Sequence, residues 1–317
     1  MGNECGNADA LILDNYIPAD GDYIVVKKDG SVVRCSIKMD KKAGRPVKDL
    51  SDGDSQYENI VFYDYHSRLV SMDKPQDPKK VIHSNNYLSF WIKKESLTNG
   101  KLNMEGIDRY FDILSNPRVK YKNAKDSKMY DYIFPVVGEV NQEKLEQCRN
   151  WIKQHIFNMQ DFGIDISGKN YLKVFFEDDR DLYINEEKRY LMTKIYNKND
   201  YNIDIDEQIY GLPNDNLALN SKKPYMEHKT RKNVVPYLIT PEEAATQRKF
   251  FDYLMNEANR GYTNIFFDSD EDEIIPKKPG EFITDDFSGF FIQIQKGKEL
   301  SIQHQDAIVD YKYNLYK

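Results

Sequence analysis

The chain has 317 residues, enough for two domains and a sizeable core. Hydrophobic residues make up 40%, charged residues 31% and aromatic residues 13%, a polar composition that is still too aromatic for a disordered chain. The formal net charge of -7 excludes a generally basic nucleic-acid binder, so any such role has to rest on local patches.

In chain order, residues 22 to 38 read as a hairpin. Tyr23 to Val26 and Ser31 to Ile37 flank Asp29-Gly30, a turn pair that tolerates positive φ. A polar loop with Gly44, Pro46 and Gly53 follows, and Asn59 to Tyr65 reads as the next strand. The segment from Arg68 to Lys101 is basic, with Arg68, Lys74, Lys79, Lys80, Lys93, Lys94 and Lys101 against Asp73, Asp77 and Glu95. Inside it, HSNNYLSFWIKK mixes Asn85 and Asn86 with Tyr87, Phe90 and Trp91. Such interleaving suits a nucleic-acid surface; the plain alternative is aromatic core with a lysine rim.

Two helices are predicted next. Met104 to Leu114 puts Ile107, Phe111 and Leu114 on one face and stops at Asn116-Pro117. Glu143 to Met159 puts Leu145, Cys148, Trp151, Ile152, His155 and Ile156 on another. YLKVFFE and RYLMTKIYN then read as strands. The stretch from Leu219 to Tyr262 couples a basic loop to the clearest helix in the chain. Thr240 is its N-cap, Pro241 takes N1, Glu243 completes a capping box and Gly261 suits the C′ position. Phe250, Phe251, Leu254 and Ala258 form its apolar stripe. Thr263 to Phe267 is a short strand, and FSGFFIQIQ with ELSIQHQ makes a second hairpin across Lys296-Gly297-Lys298. The expected fold is α+β, with antiparallel hairpin-rich sheets and several packed helices. The expected domains are 1–140, carrying the basic and aromatic segment, and 141–317, carrying the basic loop and capped helix.

Few catalytic or metal motifs fit. GIDISGKN, Gly163 to Asn170, matches GxxxxGK, but it has Asn170 where a P-loop needs Ser or Thr, and it precedes a strand. In DSDEDE, Asp268 to Glu273, Glu273 stands where a calcium loop needs Gly, and Pro279 where it needs the bidentate Glu. Histidines 66, 83, 155, 228 and 304 have no paired zinc spacing. Cys5, Cys35 and Cys148 form neither a CxxC nor a disulfide framework, which points to a reducing cytoplasm. No signal peptide or membrane-length apolar run is present in the sequence. The expectation is therefore a cytoplasmic, non-enzymatic protein without cofactor or metal.

Four segments together resemble one family. They are ILDNYIPADGDYIVV, YDYHSRLVSMDKPQDPKKVIHSNNYLSFWIKK, IYGLPNDNLALNSKKPYMEHKTRKNVVPYLIT and QRKFFDYLMNEANRG. In order and spacing they are similar to the large subunit of the type I-B CRISPR Cascade complex (the Cas-eight-b or Csh-type family), from Leu11 onward. The resemblance implies a non-catalytic role in PAM recognition and target DNA binding in antiviral defence. It also implies as partners the other Cascade subunits, the CRISPR guide RNA, double-stranded target DNA and the helicase-nuclease recruited to the complex. Against that family, the expectation is a chain without the C-terminal helical domain and abbreviated before the DNYIP segment, as a fragment, a split gene or a reduced variant would be. Motif position and chemistry together nominate Asn220, Lys222, Lys223, Lys229, Arg231 and Lys232 in the basic loop, and Lys79, Lys80, Asn85, Asn86, Lys93 and Lys94 in the earlier segment. The rival enzymatic expectation is a metal-dependent nuclease using the acidic run 268–273.

Overall fold

A computed structural model of the chain describes residues 11–40, 45–50, 54–214, 238–297 and 300–313. Its contacts divide it into two units, Ile17–Leu212 and a second joining Met1–Tyr16 to Pro213–Lys317. The division expected at residue 140 falls inside the first of these. The α+β class holds, with helices packed on two main sheets. After a short helix α1 (11–15), the larger unit begins with the expected hairpin, β1 (Gly21–Val26) and β2 (Val32–Asp40), and Gly30 sits at φ 82° in its turn. The sheet continues through β3 (Arg45–Lys48), β4 (Ser89–Lys93) and β5 (Tyr171–Phe176), in the order β3-β2-β1-β5-β4. The β1–β5 pair is parallel, which a hairpin-only reading did not anticipate.

Helices cover both faces of this sheet. Asn59 to Tyr65 is not a strand but the body of α2 (Ser55–His66), capped by Asp54, whose side chain accepts from Gln56 N at 2.8 Å. Every residue from Ile60 to His66 is buried, so the segment lacks the polar face that marks a surface helix. Tyr63 stacks on Tyr183 and meets Phe175 of β5 at 5.9 Å. The short α3 (Glu95–Thr98) follows β4, and then α4 (Met104–Ser115) ends at Asn116-Pro117 as expected. On the opposite face Phe90 stacks on Phe111 of α4, and Phe176 meets Trp151 of α6 (Gln142–His155) edge-on. The α6 helix stops before the expected Met159, and a 3-10 stretch, Ile156–Phe162, carries the chain to left-handed Gly163.

Two more long helices, besides α2, were not foreseen. The first is α5 (Ala124–Val137), capped by Asn123 and containing Pro135. The second is α7 (Arg180–Lys194), which replaces the strand expected at RYLMTKIYN. Its buried residues are Tyr183, Glu186, Arg189, Tyr190, Met192 and Thr193, two of them charged and one a threonine. Hydrophobic periodicity therefore gave no signal there. A small hairpin, β6 (Ile203–Ile205) with β7 (Gln208–Tyr210), closes the unit.

In the smaller unit, α8 (Pro241–Arg260) has the full capping box. Glu243 N donates to Thr240 Oγ1 at 3.2 Å, Thr240 N donates to Glu243 Oε2 at 2.8 Å, and Gly261 is left-handed. Leu254 and Ala258 are buried, while Phe250 and Phe251 are half-buried. The accompanying sheet is antiparallel, in the order β11-β10-β8-β9, formed by β8 (Asn264–Asp268), β9 (Glu273–Lys277), β10 (Phe287–Lys296) and β11 (Leu300–Tyr311). Among the described residues no helix is long and apolar enough to cross a membrane.

Candidate nucleic-acid interface

The basic loop with Asn220, Lys222, Lys223, Lys229, Arg231 and Lys232 lies outside the described residues. The six nominated residues between 79 and 94 can be placed one by one, and they divide into two groups.

Asp77 organises the first group. Its Oδ1 accepts from Lys79 N at 3.0 Å, and its Oδ2 accepts from Val81 N at 2.8 Å and Ile82 N at 3.1 Å. A buried carboxylate thus binds three backbone donors and fixes a tight turn, in which Lys80 adopts φ 57°. Lys79 and Lys80 are exposed on that turn. The chain then pairs back to the sheet through the Ile82–Ile92 bridge and His83 N donating to Trp91 O. Lys93 ends the edge strand β4 and is also exposed, opposite Tyr171.

His83 ties these cations together. Its Nε2 lies 2.9 Å from Lys80 O and its Nδ1 2.8 Å from Tyr171 Oη. A carbonyl only accepts, so Nε2 carries the proton, and neutral Nδ1 accepts from the tyrosine hydroxyl. Burial, and then the nearby Lys93 charge, push the imidazole below its ordinary value, although the bond to Lys80 O opposes this. The ring is a neutral strut between the lysine turn and the sheet edge.

The second group is internal, which corrects the expectation that it reads bases. Asn85 Nδ2 donates to His66 O at 3.0 Å and Arg68 O at 2.8 Å, and its Oδ1 accepts from Asn86 Nδ2 at 2.7 Å. Asn86 Oδ1 in turn accepts from Leu88 N and Ser89 Oγ. Both asparagines are 1% exposed, with their amides consumed in shaping the turn before β4. Lys94 is 4% exposed and paired with Asp22. Tyr87, Phe90 and Trp91 are core residues and offer no stacking platform. Of the six nominated side chains between 79 and 94, those of Lys79, Lys80 and Lys93 are exposed.

The other motifs resolve simply. Gly163 to Asn170 connects a 3-10 helix to β5, the reverse of a P-loop setting. In the acidic run, Asp268 Oδ1 accepts from Asp270 N at 2.9 Å and Glu271 N at 3.1 Å, so it shapes the β8–β9 turn. Among the described residues no three His, Cys, Asp or Glu side chains converge to hold a metal ion. No family model, curated protein or solved structure matches the chain.

Proposed function

We propose that the chain is a non-catalytic large subunit of a type I-B CRISPR Cascade, contributing to PAM recognition and target DNA binding in the cytoplasm. Its partners would be the other Cascade subunits, the guide RNA, the target duplex and the recruited helicase-nuclease. The four-segment resemblance supplies the family. The observation that carries the binding role is the display of Lys79 and Lys80 on the Asp77 turn and of Lys93 at the end of the edge strand, around the His83–Tyr171 pair and beside an aromatic core. Cations held on a rigid base are preorganised for phosphates, which gives affinity and register but no base specificity.

The test is target binding by the assembled complex across a salt series and a set of PAM variants. Each of Lys79→Gln, Lys80→Gln and Lys93→Gln is expected to weaken binding to all sequences alike and to reduce the salt slope by about one, the triple variant by about three. Unchanged slopes in a complex that still assembles would remove this face from the interface. The nuclease alternative predicts Mg²⁺- or Mn²⁺-dependent cleavage of labelled DNA by the purified chain; the proposed role predicts none.

A further inference from the structure

The C-terminal end of α7, the N-terminal end of α5 and the loop over 73–75 enclose a polar cleft of about 320 Å³ within the larger unit. Its walls carry Lys74, Lys120 and Lys194, brought together from three segments far apart in sequence. Their donors are not equally occupied. Lys120 Nζ donates to Pro75 O, Gln76 O and Gln76 Oε1 at 2.6, 3.1 and 2.8 Å, which uses all three of its N–H groups. Lys74 Nζ donates to Lys194 O and Tyr196 O, closing the end of α7 and leaving one N–H. Lys194 is half-buried, with its ammonium 5.0 Å from the Tyr121 ring centre, and among the described residues no carbonyl or carboxylate accepts from it. Nearby, Asn197 Nδ2 is buried without an acceptor.

The charge around these donors is unbalanced. Asp126, in the first turn of α5, is the inner carboxylate, and its two oxygens already accept from Asn199 Nδ2 at 2.6 Å and Asn123 Nδ2 at 2.5 Å. Asp73, Asp200 and Lys198 are exposed at the rim. When all three are protonated, the inner lysines exceed the one inner carboxylate by two positive charges beside a helix N-terminus. The titration of the lysines reflects this crowding. Burial and then the Lys194 charge push Lys74 down to about 8 and Lys120 down to about 7, while burial lowers Lys194 itself.

We infer that this cleft binds the phosphate group of a small phosphomonoester, received by Lys194 Nζ, the remaining Lys74 N–H and Asn197 Nδ2. A dianion cancels the excess of two charges, whereas a carboxylate cancels one. The volume lies at the small end of the ligand-site range and fits a compact molecule rather than a polymer strand. The inference goes beyond the proposed Cascade role and does not depend on it.

The probes are inorganic phosphate, sulfate and acetate, each against chloride at matched ionic strength, read by thermal unfolding and titration calorimetry. Phosphate and sulfate at ten times Kd are expected to raise the melting temperature by roughly 3–6 °C, and acetate by far less. Lys194→Gln should lose at least tenfold in phosphate affinity while melting no lower than the parent in chloride, because it relieves repulsion on Lys74 and Lys120. Asn197→Asp should abolish binding. Sulfate, whose own charge is constant, should bind more weakly as pH rises from 6 to 9 and the lysines lose their protons. No stabilisation beyond chloride, or wild-type affinity in Lys194→Gln, would overturn the assignment. Displacement of phosphate by a single-stranded oligonucleotide would overturn the small-ligand class.

Discussion

Replacing Arg189 with methionine is expected to cost the larger unit about 3–5 kcal/mol, the range for stripping one partner from a buried ion pair. Arg189 is 5% exposed, and its guanidinium is saturated. It donates from Nε and Nη2 to the Glu186 carboxylate at 3.0 to 3.2 Å, and from Nη1 to Tyr130 Oη at 3.0 Å and Gly138 O at 2.8 Å. Nη2 also donates to Val137 O at 3.0 Å. Two helices thus depend on one side chain: α7 carries it, and the carbonyl end of α5 receives it. Those carbonyls have no intrahelical donor, because the chain leaves the helix at Gly138, φ 62°. Lysine has three N–H groups and no fork, so Arg189→Lys should recover little.

A pH series separates loss of packing from a stranded charge. Burial raises Glu186 above its ordinary value, and Arg189 opposes that. Without the arginine the folded value rises further. The folded state then binds more protons than the unfolded state above the ordinary carboxylate range, so the variant's deficit grows as pH rises and shrinks toward pH 4.5. Urea unfolding followed by hydrogen exchange in α5 and α7 measures both effects. A deficit under about 1 kcal/mol would show that the pair is dispensable, and a larger one independent of pH would assign the loss to packing rather than to a stranded charge.

The same side chains explain what was legible in the sequence. The α8 helix could be read residue by residue because its signals are local: Thr240, Pro241, Glu243 and Gly261 act within one turn of each end. The hairpins carried equally local turn signals. The α7 helix hid because its inward stripe includes Glu186 and Arg189, whose burial makes sense only with Tyr130 and Gly138 beside them. For α2 the reverse held, since a continuous buried run such as Ile60 to Tyr65 carries no period to read. The candidate segment was half legible for a related reason. Lys79, Lys80 and Lys93 are exposed, but Asn85 is fixed by the carbonyls of residues 66 and 68, and Asn86 by Asn85 and the turn that follows it. The lysine cleft had no signature, because its members are gathered from positions 74, 120 and 194 only by the fold.

Lys173→Met is the second large effect, and its magnitude should depend on which partner is left behind. Lys173 lies in β5, 3% exposed, with its ammonium paired to Asp64 of α2, 3.8 Å from the Trp91 ring centre and 5.1 Å from that of Tyr23. One cation therefore links α2, β1, β4 and β5. Removing it takes from the fully buried Asp64 its paired cation, at an expected cost of about 3–5 kcal/mol. Asp64→Asn should cost less, because an asparagine Oδ1 in the same place can still accept from the Lys173 ammonium, whereas methionine offers Asp64 no donor. Burial already pushes Lys173 below its ordinary value, and Asp64 resists. Without that resistance the folded value falls further, so the folded state binds fewer protons than the unfolded one and the deficit shrinks as pH rises toward 10.5. Replacing both, as Lys173→Met with Asp64→Leu, should restore stability to within about 1 kcal/mol of the parent, since two well-packed apolar groups leave no charge behind. Trp91 fluorescence reports locally on the same site. If the double variant folds and its Lys79, Lys80 and Lys93 face still gives the parent salt slope in the assembled complex, the pair contributes stability alone. A changed slope in a protein of parental stability would instead make the buried cation a positioning element for the edge strand.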